Sequence, residues 1–146
     1  MLAAAASELA QITATDASRV EVRSLLLTVL HEQQKWPEAQ TVAAELIHGG
    51  AKDAGIWIMW AYATRRADSL VGAERILHEA VKVHPDDPTI QFNLGCYACQ
   101  RGNLQVARHH VGRAIALAPH FAALAATDAG LVALRVADAA DRPTDS

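Results

Sequence analysis

Residues 88–121, PTIQFNLGCYACQRGNLQVARHHVGRAIALAPHF, consist of two apolar-periodic segments separated by a short break. The break falls at Gly102-Asn103, a pair typical of turns. On both sides of it apolar residues recur at spacings of three and four, which is the periodicity of an amphipathic helix. Before the first segment, Asp87-Pro88 supplies an N-cap followed by proline in the first helical position. This stretch therefore predicts two helices joined by a turn.

A shift of 34 residues aligns this stretch with the two stretches that precede it. Six sets of residues recur in a single register, with one member of each set in each stretch. The sets are Ala39/Ala73/Ala107, Leu26/Trp60/Leu94, Leu27/Ala61/Gly95, Trp36/Leu70/Leu104, Leu46/Ala80/Ala114 and Ala51/Pro85/Pro119. Six coincidences in one register are hard to obtain by chance, and a fixed period of this length is the signature of a helical repeat protein. The sequence therefore predicts three helix–turn–helix units at about residues 20–53, 54–87 and 88–121.

The period and the placement of small residues resemble the tetratricopeptide repeat (TPR). The matching residues are Leu94, Gly95, Ala107, Ala114 and Pro119 in the third unit, Trp57, Ala73, Ala80 and Pro85 in the second, and Leu26 and Ala39 in the first. The first unit departs from the pattern at Arg23, where the second has tryptophan, and at Ala51, where proline is usual. The resemblance covers about 102 of the 146 residues. It implies an all-α fold, a right-handed α–α superhelix (TPR solenoid) of three repeats with terminal capping helices.

The ends of the chain flank a predicted TPR domain at residues 18–121. We expect residues 1–17 to be an N-terminal extension or cap helix and residues 122–139 to form C-terminal capping helices, because a solenoid must cover its apolar ends. Residues 140–146 are polar and are predicted to be disordered. The apolar start lacks a basic lead, and the most apolar internal stretch, 54–63, is about half the length of a membrane span. We therefore expect no secretory signal, no membrane span and a cytoplasmic location.

The composition and the local motifs restrict the class of function. The chain is 51% hydrophobic and 20% charged, as in a globular domain, and its formal net charge of −3 offers no basic face for nucleic acid. Two cysteines are too few for a disulfide framework. The sequence has no Gly-rich phosphate loop, no local Ser/His/Asp arrangement and no pair of histidines at the i, i+4 spacing of a helical metal site. We therefore expect no catalytic, cofactor or metal site.

The TPR resemblance implies that the first helices of the repeats lie side by side along a concave groove. The register places one face of each of these helices in the groove. The groove residues are Ser24, Thr28, His31 and Glu32 in the first unit, Ile58, Tyr62, Arg65 and Arg66 in the second, and Phe92, Cys96, Cys99 and Gln100 in the third. The second and third sets are the predicted binding site, because they combine apolar anchors with two guanidinium groups that suit carboxylates. In the alternative, Ile58 and Phe92 fill space between helices while Arg65 and Arg66 are merely solvated.

Two sets of residues that suggest chemistry are assigned mainly to packing. Cys96 and Cys99 form a C-x-x-C pattern, but they lie in the middle of a predicted helix, where no helix N-terminus lowers the pKa of a thiol. Packing or groove lining is therefore favoured for them over a redox or metal role. The tryptophans Trp36, Trp57 and Trp60 are predicted to belong to the core.

The predicted function is that of a non-enzymatic interaction module, which binds a peptide segment or partner protein of apolar and acidic character in its concave groove. Small TPR proteins with an N-terminal extension also serve as secretion chaperones, which is one alternative. A second alternative is a structural protein that forms homodimers through an uncapped end. The third is a thiol redox protein that uses Cys96 and Cys99.

Overall fold

A computed structural model describes residues 19–141 of the chain. The predictions for residues 1–17 and for 142–146 of the tail lie outside the described residues. The predicted disordered tail begins one residue too early, because Ala140 is the last residue of the final helix. Within 19–141 the chain is helical with short turns, and none of these residues belongs to a strand. The predicted all-α class is therefore confirmed. No helix in this range combines the length and the apolar character needed to cross a membrane.

Each predicted repeat corresponds to a pair of helices. The pairs are α1 (Arg19–Glu32) with α2 (Trp36–His48), α3 (Ala54–Ala67) with α4 (Leu70–Val83), and α5 (Pro88–Gln100) with α6 (Leu104–Leu117). A broken helical segment follows as α7 (Phe121–Thr127), a 3₁₀ turn (Ala129–Leu131) and α8 (Val132–Ala140). The described residues thus continue as helix beyond the third pair, as expected of a capping segment.

Capping side chains determine where several helices begin. The side chains of Asp53, Asp87 and Asn103 each accept a hydrogen bond from a backbone N–H in the first turn of α3, α5 and α6 respectively. Such caps stabilise a helix by about 1 kcal/mol each. Between α5 and α6 the chain turns at Gly102, whose φ of +85° lies in the left-handed region that favours glycine. The turn chemistry read from Asp87 and Gly102 is therefore present in the structure.

The chain divides into two compact units at residues 76 and 77, inside α4, and each unit is described by itself. In the first unit, α2 packs against α1 and α3. Small side chains allow this packing, since Ala39, Ala43 and Ala63 are wholly buried. The core cluster of the unit consists of Leu26, Leu27, Leu30, Ala39, Val42, Ala43, Leu46, Ile56 and Ala63.

In the second unit, α5 and α6 cross closely at Gly95. A Cβ atom on Gly95 would lie 2.6 Å from Val111 Cγ2 and 3.2 Å from the carbonyl oxygen of Ala107. Ala107 itself is wholly buried. Gly95 and Ala107 must therefore be small in this unit, because the two backbones approach closely there. The segment from α7 to α8 packs on this pair and completes the core of the unit.

Candidate functional site

The four predicted groove residues of α3 lie on an accessible face of the first unit. Ile58 and Tyr62 are half-buried, and Arg65 and Arg66 are exposed. Each apolar residue is anchored by its helix while part of its side chain remains open to a ligand. The face therefore has the mixed apolar and cationic character that the sequence predicted.

Tyr62 lies in an aromatic cluster with His31, from the last turn of α1, and Trp36, the first residue of α2. The ring centroid of Tyr62 is 4.9 Å from that of His31 and 5.3 Å from that of Trp36. The rings of His31 and Trp36 meet edge to face at 5.0 Å. These separations lie in the range of direct aromatic contact. We call His31, Trp36 and Tyr62 the aromatic cluster, and it joins α1, α2 and α3.

The guanidinium of Arg66 lies over this cluster. Its central carbon is 3.4 Å from the ring centroid of Tyr62 and 5.4 Å from that of Trp36, which is cation–π geometry. One guanidinium nitrogen also donates to the backbone carbonyl of Tyr62, at 3.5 Å. A guanidinium has five N–H donors, so those of Arg66 that do not bond Tyr62 remain to suit the two oxygens of a carboxylate. Arg66 is thus oriented by its own helix for recognition of an anion.

His31 is the electrostatically unusual member of the cluster. Burial lowers the pKa of its imidazole, the nearby Arg66 lowers it further, and Glu32 opposes the shift. His31 is therefore neutral at pH 7, and the positive charge beside Tyr62 belongs to Arg66. The Nε2 atom of His31 is buried and has no hydrogen-bond partner among the described residues. One polar atom of the cluster thus remains unpaired.

An open cavity of about 610 Å³ lies against the cluster. Its lining residues are His31, Glu32, Gln34, Trp36, Tyr62 and Arg66. Gln34 lies in the turn between α1 and α2 with a φ of +58°, a left-handed conformation that is uncommon for a residue with a side chain. Backbone strain of this kind occurs more often at functional sites than elsewhere. The cavity combines an aromatic wall with one cationic and one anionic side chain.

A second cavity of the first unit, of about 520 Å³, has no aromatic residue among the described residues that line it. It lies beside the start of α1 and includes Arg19, Arg23 and Glu45 in its lining. Arg23 already forms an ion pair with Glu45 across it. This cavity therefore offers charged side chains without the aromatic wall that accompanies Arg66.

The sequence did not assign Trp36 to a binding surface, and it placed His31 and Glu32 in the poorer part of the groove. Trp36 does pack against the core of the first unit, as predicted, but it is only partly buried and also forms a wall of the cavity. A repeat register identifies the buried side of such a residue and not its remaining exposed edge. Trp57 is buried, whereas Trp60 is partly buried and 5.7 Å from Trp57 between ring centroids.

The predicted groove residues of α5 are placed differently. Phe92, Cys96 and Cys99 are buried, with exposed fractions of 6%, 8% and 3%, and Gln100 is exposed. Segment α7–α8 of the chain lies on this face. The ring of Phe92, for example, is 5.1 Å from that of Phe121 between centroids. In this structure the three buried side chains are therefore not available to an external ligand.

The two cysteines are free thiols, and neither has the environment of a reactive nucleophile. Burial raises the pKa of the Cys96 thiol to about 12, and the adjacent carboxylate of Asp128 adds to the effect. Cys96 is therefore a protonated thiol at neutral pH. Among residues 19–141 no group of three or more His, Cys, Asp or Glu side chains is arranged to hold a metal ion.

No protein-family model and no curated protein sequence matches this chain. Solved structures do resemble it. MamA has a TM-score of 0.77 at 14% identity, over 92% of this chain and 75% of that chain. SycD of Yersinia enterocolitica, in complex with a peptide of the translocator YopD, has a TM-score of 0.72 at 16% identity, over 84% of this chain and 97% of that chain.

A MamA RS-1 ArsTM double mutant has a TM-score of 0.71 at 15% identity, and the match covers 80% of this chain but only 65% of that one. Likeness at such low identity concerns the fold and not the residues of a site. MamA and SycD are TPR-like proteins, and their likeness shows that this chain has the all-α, TPR-type helical fold.

Proposed function

We propose that the protein is a non-enzymatic interaction module that binds a peptide segment of a partner protein on the α3 face of its first unit. The observation that carries the proposal is the exposed guanidinium of Arg66, stacked on the aromatic cluster beside an open cavity. The proposed ligand is a segment with apolar and acidic side chains, and the proposed location is the cytoplasm.

The apolar part of the ligand would cover the exposed edges of Ile58, Tyr62 and Trp36. Covering a side chain of this size contributes about 1.5–3 kcal/mol when the burial is complete, and less here because these side chains are already half-buried. The rings are held in place by their own helices, so little conformational entropy would be lost on binding. The aromatic cluster therefore acts as a rigid anchor point.

The acidic part of the ligand would lie at Arg65 and Arg66. An exposed charge pair raises the rate and the selectivity of association more than the affinity. A carboxylate bound in two-point contact at Arg66 adds affinity because the guanidinium is already oriented on Tyr62. Glu32, on the rim of the cavity, would repel a second carboxylate there. This combination favours a segment with one acidic side chain next to apolar ones.

The likeness to SycD supports the class of ligand, because that TPR-like protein is seen in complex with a peptide of a translocator. It equally supports the more specialised alternative of a secretion chaperone. The two differ in the partner and not in the mode of binding, so a partner that is itself exported would favour the chaperone.

A peptide library displayed on phage tests the proposal without knowledge of the partner. We expect the immobilised protein to enrich sequences that combine aromatic or aliphatic residues with Asp or Glu. A synthetic peptide of the enriched sequence should bind Arg66→Ala about tenfold more weakly than wild type, as for a lost charged hydrogen bond. Arg75→Ala, which removes an exposed arginine of α4, is the matched control and should bind like wild type. Equal affinity for Arg66→Ala and wild type would exclude this face.

A further inference from the structure

The face of α5 that carries Phe92, Cys96 and Cys99 is occupied by the chain itself. Residues 121–140, from α7 to α8, lie on it, and we call them the C-terminal cover. Leu131 in the 3₁₀ turn and Leu134 in α8 are 1% and 6% exposed, and they share one core cluster with the three α5 side chains. The cover thus contributes large apolar side chains to the positions where the repeat register predicts a ligand.

The cover is broken at the 3₁₀ turn Ala129–Leu131, and the backbone of this turn lies directly on the α5 face. Asp128 accepts a hydrogen bond from the Gly130 amide at 2.7 Å and one from the Cys96 thiol at 3.7 Å. A Cβ atom on Gly130 would lie 2.7 Å from Gln100 Nε2 and 3.3 Å from Cys96 Cβ. The amide of Gln100 is the far end of a flexible side chain and can move aside, whereas Cys96 Cβ at 3.3 Å admits a larger residue only if the turn or α5 shifts by a few tenths of an ångström. The turn and α5 are therefore in close contact at Cys96.

Two further sets of polar contacts hold the described part of the cover, one within the cover and one at its surface. Arg135 donates to the carbonyl oxygens of Ala125 and Asp128, at 3.0 and 2.8 Å, which closes the break within the cover itself. The ion pair between Arg108 of α6 and Asp138 of α8 is about half exposed on both sides. Exposed pairs of this kind contribute little to stability.

The outer side of the cover carries apolar side chains that are about half exposed or more. Leu124, Val132 and Val136 are 45%, 51% and 64% exposed. A segment that packs on one side only, with exposed attachments, belongs to the least stable part of a domain. Its opening should cost less free energy than unfolding of the α5–α6 pair.

We propose that the C-terminal cover is an internal ligand of the α5 face, which opens as a unit while α5 and α6 stay folded. In the closed state it keeps Phe92, Cys96 and Cys99 from any other segment and confines peptide binding to the α3 face. In the open state the α5 face accepts an apolar segment with the chemistry of the cover: an aromatic residue, a carboxylate and a glycine before a leucine. The proposal goes beyond the proposed function, and its test needs no partner protein.

Labelling of the Cys96 thiol in the full chain tests the opening. In a Cys99→Ala background Cys96 is the only thiol, since the chain has two cysteines. We expect a maleimide to label it through an opening that depends weakly on urea, because little surface is exposed when only the cover opens. Labelling with the full urea dependence of global unfolding, and at the same free energy, would show that the cover is an inseparable part of the core and would overturn the proposal.

A matched pair of glycine variants sharpens the test. In the same background, Gly130→Leu places a side chain against Gln100 and Cys96 and should speed labelling about tenfold or more, whereas Gly112→Leu adds the same side chain to α6 where nothing lies within 4 Å of the Cβ. The helical circular dichroism of both should match wild type. Equal labelling of the two variants would contradict the proposal. If Gly130→Leu loses its helicity, the labelling of the Cys99→Ala variant in urea, described above, decides the question alone.

A peptide of residues 119–140 tests whether the face binds such a segment. Added in excess to the Gly130→Leu variant in the Cys99→Ala background, it should slow the labelling of Cys96 towards the rate of the Gly130 parent. A peptide of the same composition in scrambled order should leave the rate unchanged. Equal effects of the two peptides, or no effect of either, would show that the α5 face is not a binding surface for this chemistry.

Discussion

The α3 face of the first unit and the α5 face of the second occupy the same positions of the repeat but differ in exposure. Tyr62 and Cys96 are 34 residues apart and correspond in register, as do Arg66 and Gln100. Tyr62 is half-buried beside an open cavity, whereas Cys96 is 8% exposed beneath the C-terminal cover. Register therefore tells which residues share one face of a helix, and the segment packed on that face decides whether a ligand can reach it.

The largest effect is expected from truncating a side chain of the cover. Leu131→Ala should lower the free energy of unfolding of the second unit by about 2–5 kcal/mol, because it leaves a cavity where a fully buried leucine contacts the α5 face. Urea denaturation measures the change. Val136→Ala, on the exposed side of the same cover, should change it by no more than about 0.5 kcal/mol. Similar losses for both variants would mean that burial does not distinguish the two sides of the cover.

Truncating a side chain of the open α3 face should lower the free energy of unfolding less than Leu131→Ala does. It should weaken the binding of the peptide more. Tyr62→Ala removes the contacts with His31 and Trp36, and we expect a loss of about 1–2 kcal/mol of folding free energy. Binding of the selected peptide should weaken mainly through a faster off-rate, which surface plasmon resonance measures. A stability loss as large as that of Leu131→Ala, with unchanged binding, would place Tyr62 in the core and not in a site.

Removing one capping side chain from each unit should lower the free energy of unfolding by similar amounts, but only one of the two variants should label faster at Cys96. Asp53→Ala and Asp128→Ala each remove a side chain that accepts a backbone N–H bond, at 2.7 Å in both cases. We expect each to lower the free energy of unfolding by about 1 kcal/mol in chemical denaturation. Only Asp128→Ala should also speed the labelling of Cys96, since Asp128 holds the turn against α5. Faster labelling in both variants would mean that the thiol reports general loosening.

The smallest expected effect concerns pH and the neutral imidazole of the α3 face. The folded-state pKa of His31 is lowered, so below its unfolded value of 6.5 the unfolded chain binds more protons than the folded one. Its neutral state therefore supports folding fully above pH 6.5, and stability falls as the pH drops from 6.5 towards the folded pKa. In His31→Asn the loss of stability between pH 7 and pH 5, measured in urea, should be smaller than in wild type. An unchanged pH dependence would show that His31 is not the responsible group.

Several features of the fold followed from residue patterns because they depend on neighbours in sequence. The 34-residue register, the cap at Asp87 and the turn pair Gly102-Asn103 are local signals, and α5 begins and the α5–α6 turn lies where these residues predict. The repeat makes each contact recur, so a pattern in one unit supports the others.

The candidate site was only partly predictable. Tyr62, Arg65 and Arg66 were identified because the register places them on one face of a helix. The contribution of Trp36 and the neutral state of His31 depend on how α1, α2 and α3 meet at one end, which no spacing within a single helix encodes. The cavity therefore forms only where the end of α1, the start of α2 and the last turns of α3 come together.

The sequence by itself determined that the chain consists of paired helices, where several of those helices begin, and which residues share one face of each first helix. These are consequences of hydrophobic periodicity, capping and a fixed repeat. Only the tertiary structure decided that one such face stays open while the other is covered. The turn in the middle of the cover brings Gly130 against Cys96, and such an approach depends on the distance between backbones that are remote in sequence. The exposed fraction of a side chain depends on tertiary packing, because the segment that lies on a side chain is what buries it.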